Sequence, residues 1–88
     1  MTLPERQAAR LLSHLQARAL PHTFASTPDG TYQITAYIGQ RAASVGIWED
    51  GLSLITFDDE ARPTHNEVET VDEALRRIDE LRAVEATP

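Results

Sequence analysis

The chain has no cysteine and no lysine. Without cysteine there is no disulfide framework, no thiol nucleophile and no thiolate metal site. Without lysine, all eight basic residues are arginine, and they are scattered. With twelve alanines in the same chain, a GC-rich coding bias is the simplest explanation. Selection for bidentate arginine contacts is the functional alternative. Aromatic residues are few: one Trp, two Tyr and two Phe. No run approaches the ~18 apolar residues that span a bilayer. The first residues, MTLPERQAAR, lack the basic-then-apolar plan of a secretory signal. The expected compartment is therefore the cytoplasm, with no membrane partner.

What is present describes one small globular domain. Eighty-eight residues close one modest core, so residues 1–88 are taken as a single domain, with 1–2 and 85–88 expected to fray. Hydrophobic content is 41% and charged content 25%, as in ordinary folded chains. The net charge is −6. Phosphate recognition needs concentrated positive charge, and the nearest approach to it is Arg76-Arg77, so no nucleic-acid partner is expected. An acidic surface suits a basic protein partner or keeps the chain dissolved.

Periodicity then gives the elements. Apolar residues at Ala8, Leu11, Leu12, Leu15 and Ala19 form the stripe of a core-facing helix. The spacing predicts that helix from about Leu3 to Leu20, with Thr2 as N-cap, Pro4 in the first turn, Glu5 at the capping-box position and Pro21 as the stop. A short strand follows over His22–Ser26, then the turn signal Pro28-Asp29-Gly30. Residues 31–57, TYQITAYIGQRAASVGIWEDGLSLITF, read as three antiparallel strands. Gly39-Gln40 suits a type II′ turn and Asp50-Gly51 a type I′ turn. Those turns fix a register. On one face Ile34 lies beside Val45 and Val45 beside Thr56, and Tyr32 lies beside Ile47 and Ile47 beside Leu54. On the other face the rows are Thr35-Ser44-Phe57, Gln33-Gly46-Ile55 and Thr31-Trp48-Ser53. A two-residue turn at Asp29-Gly30 adds Phe24 to the second face, and a one-residue slip moves it to the first. Asp58 to Glu69 is a polar connection, within which Thr64 to Val68 is weakly strand-like. Thr70-Val71-Asp72-Glu73 is a capping box with acids at the positive helix end. It opens a second helix with Val71, Ala74, Leu75, Ile78, Leu81 and Val84 as its apolar positions. The pairs Asp72–Arg76 and Glu73–Arg77 have the favourable i,i+4 order.

The expected fold is α+β: a helix, an antiparallel meander of three or four strands, and a helix, in one two-layer domain. The order α-β-β-β-α resembles that of double-stranded RNA-binding domains. Val71-Asp72-Glu73 stand where those domains need a basic cluster at the helix start, so the resemblance extends to element order and not to RNA binding.

The chemistry-bearing residues form no site signature. His14, His22 and His65 lie outside any ligand motif, and His14 reads as a boundary residue beside the first helix's stripe. Asp58-Asp59-Glu60 with Glu67 and Glu69 form an acidic cluster. Paired carboxylates can serve acid-base chemistry or a divalent cation, but a block of like charge leaving a strand reads first as a solvated loop. Ser13, Ser26, Ser44 and Ser53 sit in no nucleophile elbow, and Gly39, Gly46 and Gly51 make no phosphate loop. No catalytic residue, cofactor or metal is assigned, and the chain is expected not to be an enzyme.

The second sheet face is the more informative feature. Two helices usually pack on one side of such a sheet, which leaves Trp48, Ile55, Phe57 and Tyr37 on the other, around Ala42, Ser44 and Gly46. Aromatics around small residues are the raw material of a binding hot spot. If a helix or the Asp58–Glu69 segment covers them, they are a minor core instead. The expected role is a small acidic protein-binding module: an inhibitor or immunity-type protein blocking a basic site on a partner. Trp48, Ile55, Phe57 and Tyr37 would make the contact and Asp58, Asp59 and Glu60 the acidic rim. The alternatives are a structural homodimer formed through the aromatic face and, least favoured, a small-molecule or enzymatic domain.

Overall fold

A computed structural model describes residues 2–87. Seven elements follow in chain order: α1 Leu3–Ala17, β1 His22–Ser26, β2 Tyr32–Ile38, β3 Arg41–Trp48, β4 Gly51–Phe57, β5 Pro63–Asn66 and α2 Val71–Ala86. The five strands form one antiparallel sheet in the order β1-β2-β3-β4-β5. The α+β class and the helix–meander–helix order are as expected from the sequence. The sheet has two strands more than the α-β-β-β-α order, one at each edge.

Both helices lie against β2 and β3 and against each other. The core is the single layer between them and the sheet. It takes Ala8, Leu11 and Leu15 from α1, Ile34, Ala36, Ile38, Ala43, Val45, Ile47, Leu52 and Leu54 from the sheet, and Val71, Ala74, Leu75 and Ile78 from α2, closed at one end by Val68. Alternation along β2 and β3 puts every second side chain into this layer. Leu81 packs against the rim of the core, and Val84 is half exposed.

The helix starts form as their sequences indicate. The Thr2 hydroxyl accepts from the Glu5 amide at 3.3 Å, and the Thr70 hydroxyl from the Glu73 amide at 3.1 Å. Glu73 reaches back to the Thr70 hydroxyl and the Glu69 amide. The first helix ends earlier than its apolar stripe. Ala19 has φ 55°; its amide donates to the Gln16 carbonyl, and the Leu20 amide donates to the Leu15 carbonyl. This crossed pair is a Schellman cap. The reversal thus precedes Pro21, and Ala19 lies outside the helix and is exposed.

Two registers differ from expectation. In the first hairpin, Thr27 and Thr31 close a three-residue loop, with the Thr27 amide on the Thr31 carbonyl and Gly30 at φ 88°. Pro28-Asp29 followed by a left-handed Gly is the three-residue form of hairpin loop. The Asp29 carboxylate holds it by accepting from Thr31 N and the Thr27 hydroxyl. One residue more than the expected turn flips β1. Phe24 therefore stands opposite Ile34, not Thr35, on the helical side of the sheet.

In the β3–β4 hairpin the connecting residues are Glu49 and Asp50, with Trp48 paired to Gly51. None of Glu49, Asp50 and Gly51 has positive φ, so the mirror-image turn expected at Asp50-Gly51 is absent. The pairing moves by two residues: Val45 opposes Leu54, Ile47 opposes Leu52, Ser44 opposes Ile55 and Gly46 opposes Ser53. A shift of two conserves the face of every side chain, so the core assignment survives. The β2–β3 hairpin follows the expected register, with Ile34 opposite Val45 and Gly39 at φ 61°, as a type II′ turn requires.

Candidate functional site: an open aromatic sheet face

The face turned away from the helices is built from alternate residues of five strands. Neither helix lies on it, and the β4–β5 connection does not fold over it. That connection is a tight loop tied to Asp58. The Asp58 carboxylate accepts from Glu60 N and Arg62 N at 2.9 Å each and pairs with the Arg62 guanidinium at 3.0 Å. The Arg62 amide, the Glu60 amide and the Arg62 side chain together hold the Asp58 carboxyl below its ordinary range. Asp58 is therefore committed to loop structure. Asp59 and Glu60 are exposed, and Glu60 makes one loose contact, 3.8 Å, with Arg62.

Cross-strand rows set the geometry. Tyr37, Ala42, Phe57 and Pro63 form one row. Tyr37 is 44% exposed, and the small Ala42 side chain stands between it and Phe57 in the row. The next row is Thr35, Ser44, Ile55 and His65. Ser44 is buried and accepts from Gln33 Nε2 at 3.1 Å and Thr35 Oγ1 at 3.2 Å. The acidic loop begins where this end of β4 stops. Tyr37, Ile55 and Phe57 thus lie together, with Asp58, Asp59 and Glu60 beside them.

Trp48 is not part of that group. It sits at the far end of β3, four residues along the strand from Ser44, or about 13 Å. The expected register placed Ile55 opposite Gly46, next to the indole; the observed one puts Ser53 there. The indole instead lies back over the two glycines. A Cβ on Gly51 would stand 3.6 Å from the indole nitrogen, and one on Gly46 would stand 3.5 Å from the ring's six-membered edge. Bare backbone on two adjacent strands gives the ring a flat seat, the usual way an aromatic covers strand glycines. Trp48 remains 38% exposed. This shift was not legible from turn chemistry, because Asp-Gly is the stronger local hairpin signal. The seat for the ring is a tertiary feature.

The remaining polar residues are dispersed. His14 approaches Arg18, His22 Nδ1 contacts the Leu20 carbonyl at 2.9 Å, and His65 lies on the exposed face of β5. His65 is two strands from Ser44, about 9–10 Å, beyond the reach that would activate the hydroxyl. No three acidic or histidine side chains among the described residues converge as metal ligands. No helix among them is long and apolar enough to cross a membrane. The helical pairs expected on α2 are replaced: Asp72 pairs with Arg10 of α1, and Arg77 pairs with Glu80 at 3.1 Å. The chain matches no family model, and no curated protein or solved structure is significantly similar to it.

Proposed function

We propose that this chain is a small acidic protein-binding module that acts by covering a basic site on a partner protein, in the manner of an inhibitor or immunity-type protein. The supporting observation is the uncovered sheet face, where Tyr37, Ile55 and Phe57 stand beside Asp58, Asp59 and Glu60. Rigid aromatics on a sheet lose little conformational entropy on binding, and an adjoining acidic rim steers a basic surface toward them. Trp48 belongs to the same face but to its other end. A protein-sized footprint of about 800 Å² per partner reaches both ends of β4, which spans about 20 Å, whereas a short peptide crossing the strands covers only one. A folded protein is therefore the partner that uses all of these residues.

The test is comparative retention from the native host. The wild-type chain, a Tyr37→Ala/Phe57→Ala variant and an Asp59→Asn/Glu60→Gln variant are immobilised in parallel. Asp58 is left intact because it holds its own loop. The expected result is a basic protein retained by the wild type, weakened by the aromatic variant at all salt concentrations and by the acidic variant mainly at low salt. The purified partner's activity should fall in one-to-one proportion to added chain. If all three columns retain the same proteins, the open face is not the binding surface.

A further inference from the structure

The two edges of the sheet are built differently. Asp58 N donates to the Arg62 carbonyl, which fixes the alternation along β4 and β5. The backbone groups of Thr64 and Asn66 then point inward to β4, and those of Pro63 and His65 point outward. Proline has no amide hydrogen, so one of the two outward donors of β5 is missing. That edge is short and blunted.

The β1 edge has no such protection. Tyr37 N donates to the Pro21 carbonyl, and Thr27 N to the Thr31 carbonyl. Between these two bonded pairs the ladder alternates, so Thr23 and Ala25 bond to β2. His22, Phe24 and Ser26 therefore turn their amides and carbonyls to the free edge. Four of the five residues of this strand are exposed. The sequence HTFAS carries no proline and no aspartate, glutamate, lysine or arginine. It is an uncharged edge on a chain of net charge −6.

We infer that β1 pairs antiparallel with β1 of a second copy across a two-fold axis, joining two five-stranded sheets into one. Phe24 is the middle residue of His22–Ser26. An axis through it uses the strand's whole length, opposing Phe24 to Phe24 and His22 to Ser26 in both directions. The outward groups are then all bonded, with about six interchain backbone hydrogen bonds. The axis runs perpendicular to the sheet, so both pairs of helices stay on the same side. Phe24 already stacks on Tyr32 of its own chain, with ring centroids 5.7 Å apart. Pairing extends that stack into a row of four rings, Tyr32 and Phe24 of each copy, on the helical side of the joined sheet. The absence of charge on β1 is what permits two acidic chains to meet there, and the acidic rim at Asp58–Glu60 lies across the sheet at the opposite edge. A pairing of five residues is smaller than a standard interface, so the association is weak and concentration-dependent. The open face stays free, and this inference does not rest on the proposed function.

The test uses sedimentation equilibrium of the full chain from micromolar to near-millimolar concentration. The wild type should move from monomer to dimer across that range. Phe24→Lys and Phe24→Glu each place like charges opposite one another at the axis. Phe24 is half exposed, so both variants should keep the wild-type circular dichroism and melt cooperatively. Each alone should dimerise at least tenfold more weakly. An equimolar mixture of the two should recover a dimer, because the facing charges are then opposite. A wild type that stays monomeric throughout overturns the inference. So does a dimer that survives both substitutions or is lost on Phe57→Ala, the last of which would place the contact on the open face.

Discussion

Arg18 and Asp79 tie the end of the first helix to the middle of the second. The guanidinium donates from Nε to Oδ1 at 2.7 Å and from Nη2 to Oδ2 at 2.9 Å, a two-pronged pair 61 residues apart in sequence. Arg18 also caps its own helix by donating to the His14 carbonyl at 3.0 Å. Arg82 adds a third bond to Oδ1 of Asp79 at 3.0 Å. The Arg18 hydrogen bonds, helped by Arg82, hold the Asp79 carboxyl down at about 2 against an ordinary 3.8. The same pairing raises the Arg18 guanidinium.

The pair gives an acid limb to stability. A carboxyl whose folded pKa lies below its unfolded one contributes its full share above the unfolded value, and loses it as pH falls toward the folded value. For Asp79 that window runs from about 3.8 down to about 2. The Asp79 side chain is 41% exposed, so solvent screening reduces the contribution to about 1 kcal/mol or less. Asp79→Asn should lower Tm at pH 6 by a few degrees and flatten the fall in stability between pH 4 and 2. Urea titrations at pH 6, 4 and 2.5 check this, and parallel curves for the two proteins would exclude Asp79 as the source.

Ala19 occupies the left-handed position of a Schellman cap, where glycine has no Cβ penalty. Ala19→Gly should raise stability by about 0.5–1 kcal/mol, seen as a several-degree rise in Tm. A fall in Tm would show that the unfolded chain's added freedom outweighs the relieved strain.

Val45 lies at the centre of the core, between Ile34 and Leu54, with 1% of its surface exposed. Val45→Asp places an unpaired charge there at a cost of several kcal/mol, comparable with the stability of a domain of this size. The variant should show no cooperative thermal transition. The matching change on the open face, Thr35→Asp, should keep one, because that side chain borders solvent.

Trp48 covers Gly46 and Gly51 yet stands 38% exposed. Trp48→Ala should cost about 1–2 kcal/mol, less than full burial of so large a ring implies, and leave the fold intact. Partner binding should weaken by about 2 kcal/mol, mainly through faster dissociation. Chemical denaturation gives the first quantity and surface-immobilised kinetics the second. Complete unfolding of the variant would make the ring a core residue.

Local signals were enough for much of the fold. The 3.6-residue stripes gave both helices. Thr2 and Thr70 marked where they begin, because a cap is a contact between residues three apart. The alternation of β2, β3 and β4 sorted the helical from the open face, and a two-residue shift could not disturb that because the side-chain period is two. Tertiary structure decided what local chemistry left degenerate. Asp50-Gly51 is a good turn in isolation, but pairing Gly51 with Trp48 lets the indole lie flat on two bare strands. Pro28-Asp29-Gly30 fits loops of either parity, and the three-residue loop sent Phe24 to the helical side. Asp72 and Asp79 had arginine partners available on their own helix. Asp72 is paired instead across to Arg10, and Asp79 bonds Arg18 as well as Arg82. Helix packing brings the α1 guanidiniums within bonding distance, and no sequence spacing encodes that approach.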